Sequence, residues 1–159
     1  MVHKDKLAEK VEFDYEGVLD FKEVLSIIKD FVKRYGYDLI EKIYDTKSKE
    51  GLKTTNIKWT FEKELDDYNK ATIDFRINLI DYKESYAGGT KAVEGRLQVT
   101  AMPIMERDYE EQWKKAPTKK FIRAIYDKYV AKEKQNKADK YLKDTIKDLM
   151  KEMKDYFKA

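Results

Sequence analysis

Four stretches of this chain alternate apolar and polar residues one by one, and that period of two commits much of the sequence to half-buried β-strands. Val11, Phe13 and Tyr15 alternate with Glu12, Asp14 and Glu16. Ile57, Trp59 and Phe61 alternate with Asn56, Lys58, Thr60 and Glu62, and Ala71, Ile73, Phe75, Ile77 and Leu79 with Thr72, Asp74, Arg76 and Asn78. Val93, Gly95, Leu97, Val99 and Ala101 alternate in turn with Glu94, Arg96, Gln98 and Thr100. A fifth run, Tyr37 to Tyr44, carries apolar residues on both parities, so a strand is expected there without a defined facing. The alternate positions are so uniformly polar that one face of the sheet should be solvated or meet a polar partner.

Punctuation and helical periodicity divide the rest. Gly17 is expected to end the first strand, Lys47-Ser48-Lys49-Glu50-Gly51 to form a turn, and Gly88-Gly89 a loop. Pro103 lacks a backbone donor and argues for a strand end or edge. Asp20 followed by Glu23 reads as a capping pair, and Phe21, Val24, Leu25, Ile28, Phe31, Val32 and Tyr35 share one helical face before Gly36. The segment from Ile104 to Trp113 fits no single pattern. Pro117 suits the first turn of a helix bearing Phe121, Ile122, Ile125, Tyr126, Tyr129 and Val130. A further stripe, Ala138, Leu142, Ile146, Leu149, Met153 and Tyr156, is rotated from that one by roughly 130° on a straight helix. A break near Lys134-Gln135-Asn136 is therefore expected.

These elements run in the order β-α-β-β-β-β-α-α, which predicts an α+β fold: a single antiparallel sheet of about five strands with helices packed on one face. The 159 residues suffice for one domain spanning 1–159, with a basic C-terminal helical segment at 117–159. Phe31, Phe75, Leu97 and Ile146 should meet in its core. The order is similar to a reduced helix-grip arrangement, in which a curved antiparallel sheet wraps a long C-terminal helix. That resemblance implies a ligand pocket between sheet and helix, lined here by Trp59, Phe75, Leu97 and Tyr126.

Chemistry is constrained by what the chain lacks. Without cysteine there is no disulfide scaffold, thiolate nucleophile or cysteine metal site. His3 is the only histidine and is expected in a frayed terminus, so a multi-histidine metal site or histidine base is not available. Ser26 falls on a polar helix face and Ser48 and Ser85 in turns, without a histidine to activate them. Gly88-Gly89 matches neither phosphate-binding glycine fingerprint, so no cofactor is expected. Glu12, Asp14, Glu16, Asp74 and Glu94 would suit carboxylate catalysis if they converged. The interleaved Lys58, Arg76 and Arg96 give cross-strand charge pairing as the simpler account. The charged N-terminus leads into no apolar run long enough for a signal peptide or membrane span, and the expected location is cytoplasmic.

The net charge of +3 hides a division: residues 1–113 carry 19 Lys+Arg against 24 Asp+Glu, and residues 114–159 carry 15 against 7. Stepping by 100° from Lys137 places Lys140, Lys143, Lys147, Lys151, Lys154 and Lys158 together at about 240 to 320°, clear of the apolar stripe near 150°. Asp144, Asp148, Glu152 and Asp155 form a third strip, and pairs such as Asp144 with Lys147 and Asp148 with Lys151 are expected to lace the helix. Lysine makes up 29 of the 34 cations and lacks the planar fork that reads bases, so no sequence-specific DNA reading is expected. Trp113, between Glu111 and Lys114-Lys115, is a candidate interface anchor. The expected function is a non-catalytic interaction module. Its basic helix, with Lys140, Lys143, Lys147, Lys151 and Lys154, and its polar sheet face would contact an acidic protein, an RNA–protein complex or a like subunit. A small-ligand carrier of helix-grip type and a carboxylate-dependent enzyme are the alternatives.

Overall fold

The computed structural model describes residues 3–6, 10–66, 68–87, 89–107 and 131–158. Its strands are β1 (His3–Lys6), β2 (Val11–Leu19), β3 (Asp38–Lys49), β4 (Leu52–Glu64), β5 (Asn69–Ala87) and β6 (Thr90–Arg107). The described helices are α1 (Phe21–Arg34) and α2 (Ala131–Lys158). All strand pairings are antiparallel. The sheet is ordered β1-β6-β5-β4-β3, and β2 also lies on β6. β1 and β2 follow one another along the same strand, Lys6 opposite Ile104 and Val11 opposite Ala101, so six strands fill five positions.

The structure departs from several of the sequence expectations. His3 is paired opposite Arg107 in β1 rather than frayed. Gly17 does not end β2: it lies opposite Gly95, and the strand continues to Leu19. Pro103 is buried inside β6 opposite Ile73, but it falls between the β1 and β2 pairings, where a residue without an N–H costs the edge least. The turn after β3 contracts to Glu50 (φ 53°) and Gly51 (φ 81°), the two-residue left-handed turn that matches strand twist. Ser48 belongs to β3 and Ser85 to β5 rather than to turns. The break expected near Lys134-Gln135-Asn136 is absent, because α2 runs through it from Ala131. The helix proposed from Pro117 to Val130 lies outside the described residues.

The apolar parity of β4, β5 and β6 faces the two described helices. Phe31, Phe75, Leu97 and Ile146 all join one buried cluster, with α1 contributing Val24, Ile28 and Val32 and α2 contributing Leu142, Leu149 and Met153. The Asp20 carboxylate accepts the Glu23 N–H at 3.1 Å and caps α1. At the other end Gly36 (φ 80°) lets its own N–H reach Lys33 O and that of Tyr37 reach Val32 O. Among the described residues no helix is long and apolar enough to cross a membrane.

Candidate functional site

The placement of α2 begins with its apolar stripe. Ala138, Leu142, Ile146, Leu149, Met150 and Met153 are buried against the sheet and α1. Burial on the order of 1.5 to 3 kcal/mol for each large side chain fixes the helix rotation. The opposite sector is thereby turned outward, and Lys140, Lys143, Lys147, Lys151, Lys154 and Lys158 are all exposed.

Two acids of the expected strip, Asp148 and Glu152, and a third, Asp139, do something other than the expected lacing, while Asp144 and Asp155 stay exposed. Asp139 binds Arg107 at 3.0 Å, Asp148 accepts the Tyr35 hydroxyl at 3.0 Å, and Glu152 takes Arg34 through both oxygens at 2.7 and 2.8 Å. They are directed at α1 and β6 and serve to dock the helix. Neither the Asp144–Lys147 nor the Asp148–Lys151 pair forms, and none of the six lysines has a carboxylate within 4 Å among the described residues.

Electrostatics at the α1–α2 joint agree with this division of labour. The hydrogen bond to Glu152, and then its charge, raise the Arg34 pKa above its ordinary value. The bond to Asp148, aided by burial, raises the Tyr35 phenol, while burial followed by the charge of Glu23 raises Tyr156. Lys63 completes the joint by donating to the carbonyl of Tyr35 at 2.8 Å and to the Tyr141 hydroxyl at 2.7 Å. A cation on the last carbonyls of α1 is favourable to that helix terminus.

Trp59, Phe75 and Leu97 are at most 1% exposed and belong to the filled core, where Phe61 stands 5.1 Å from Phe75 and 6.2 Å from Trp59 between ring centroids. Tyr126 and Trp113 lie outside the described residues. Glu12, Asp14 and Glu16 stand opposite Thr100, Gln98 and Arg96 on β6, while Asp74 is on the next strand, opposite Thr60 and Met102. Glu94 pairs with Lys83 at 4.0 Å. Among the described residues no three carboxylate or histidine side chains are grouped to hold a metal ion. Arg107 and Arg34 were not singled out by periodicity, because their partners are 32 and 118 residues away in sequence, and Tyr35 was read only as part of the apolar face of α1 because the partner of its hydroxyl is 113 residues away. No family model matches the chain, and no curated protein matches it.

Proposed function

We propose that this protein is a non-catalytic interaction module whose C-terminal helix offers its lysine row to a polyanionic partner, an acidic protein surface or an RNA-containing complex. The observation that carries this reading is the diversion of Asp139, Asp148 and Glu152 into docking contacts, with Asp144 and Asp155 left exposed and none of the six exposed lysines within 4 Å of a carboxylate among the described residues. Such a row creates a positive potential that attracts polyanions without reading their sequence. A helix-grip carrier would need room where Trp59, Phe75 and Leu97 are packed, so it stands behind this reading.

The test compares wild type with the triple variant Lys143→Glu, Lys147→Glu, Lys154→Glu in binding to single-stranded RNA and to polyglutamate at low and moderate salt. If all six lysines engage RNA, the logarithm of affinity should fall against that of salt concentration with a slope near about −4. The variant should lose binding and keep its thermal unfolding midpoint. Absence of binding by wild type, or equal binding by the variant, refutes the proposal.

A further inference from the structure

The face of the sheet away from the helices carries a recess of about 280 Å³ floored by β4 and β5. Thr72 and Thr60 lie at its base and are only 4% and 7% exposed. Thr60 donates to Asp74 over a long 3.5 Å, whereas the Thr72 hydroxyl oxygen is buried without any hydrogen-bond partner among the described residues. A buried hydroxyl left in that state is a standing cost that a bound group can remove.

Lys4, Lys42 and Lys58 line the recess with Glu62, Asp74 and Glu106, but the pairing among them is uneven. Glu62 and Glu106 are engaged by Lys70 at 3.3 and 3.6 Å, and Lys4 adds a contact to Glu106 at 3.5 Å. Burial opposes the Lys70 ammonium, but its bonds to Glu62 and Glu106 outweigh that and raise its pKa. Lys42 and Lys58, which also line the recess, have no such carboxylate among the described residues. Lys58 also stands directly opposite Arg76, likewise without a carboxylate. Like charges facing one another across strands destabilise a sheet unless an anion comes between them. Ile43 and Ile104 supply apolar walls.

We infer that this recess binds a small hydroxylated carboxylate, of the chemical class of the sugar acids. Its carboxylate is held by Lys58 and Lys42, one hydroxyl donates to Asp74, and another satisfies Thr72. The site lies on the face opposite the lysine-bearing helix and does not depend on the function proposed for that helix.

Calorimetry with D-gluconate and D-glucuronate, beside glucose and inorganic phosphate as controls, tests the assignment on the full chain. Wild type should bind at least one sugar acid at least tenfold more tightly than glucose or phosphate. Thr72→Val and Lys58→Met should each weaken binding at least tenfold. Both variants remove an uncompensated group, so their thermal midpoints should match or exceed that of wild type, while Lys147→Glu should bind as wild type does. The inference is overturned if wild type binds neither sugar acid up to about 10 mM. It is equally overturned if phosphate binds as well as they do, if either recess variant binds normally, or if Thr72→Val is clearly less stable, which would give that hydroxyl a structural partner.

Discussion

At Arg107 a full positive charge is withdrawn from water where β6 ends. Its side chain is 9% exposed, and the guanidinium meets Asn69 Oδ1 at 3.1 Å and both oxygens of Asp139 at 3.0 and 3.2 Å. Taking Asp139 away removes one of the groups that compensate this buried charge, so Asp139→Ala should cost about 1 to 3 kcal/mol in a urea titration. A loss under about 0.5 kcal/mol would mean the contact is no more than a surface pair. Nothing at position 107 announces this role, since a lone arginine in an irregular pattern is indistinguishable from a solvated one until the fold brings Asp139 to it. Phe75 is the opposite case. It sits in an unbroken alternation, and the structure leaves it 0% exposed with Phe61 against its ring. Phe75→Ala should cost about 3 to 5 kcal/mol by equilibrium unfolding, the usual range for emptying a packed aromatic site.

Elements were legible wherever local period and local capping agree. α1 was readable from the Asp20 cap to Gly36 because both its stripe and its ends are written within a few residues. β3 was only half readable, and its bulge explains why: Glu41 stands opposite Trp59 and Ile43 opposite Lys58, so Lys42 is an extra residue that switches the parity of everything after it. Leu39 and Tyr44 thus share one face while Ile40 and Ile43 share the other. A second bulge, between Ile80 and Lys83, turns β5 toward Gly95, where an added Cβ would stand 2.6 Å from Tyr82 Cβ and 2.9 Å from its Cα. The Gly95→Ala change must displace backbone and should cost about 1 to 3 kcal/mol, to be read from the denaturant midpoint. The α1–α2 joint predicts a pH effect as well. Tyr35 and Tyr156 have folded pKa values raised above an ordinary value near 10. Their contribution is therefore complete below about pH 10 and is lost as pH rises through the higher folded values. Tyr35→Phe with Tyr156→Phe should flatten the alkaline fall in unfolding midpoint, while an unchanged fall would place its origin in Tyr37 and Lys70, whose pKa values are also raised.

For the molecule as a whole, the question is whether α2 is part of the body or an appendage bearing charge. The division of charge, acidic before residue 114 and basic after it, was plain from the sequence and is compatible with either. Burial favours the first: Leu142 and Leu149 are 0% exposed, and Phe157 stacks on Tyr15 of β2 with centroids 4.2 Å apart. The helix is otherwise polar, so its helical state leans on this apolar contact more than on intrinsic propensity. Sheet and helix should then unfold together. The chain has two tryptophans, and Trp113→Phe leaves Trp59, buried on β4, as the sole tryptophan, whose emission excited selectively at the red edge reports the sheet, while far-ultraviolet ellipticity is dominated by the helices. In that background both signals should give one coincident transition. Leu142→Ala should shift both to lower denaturant together, by a loss of about 2 to 5 kcal/mol. If the ellipticity fell first and Trp59 emission were indifferent to Leu142→Ala, α2 would be only loosely attached. Its orientation would then no longer be set by the core, and the geometric basis for an outward lysine row would go with it.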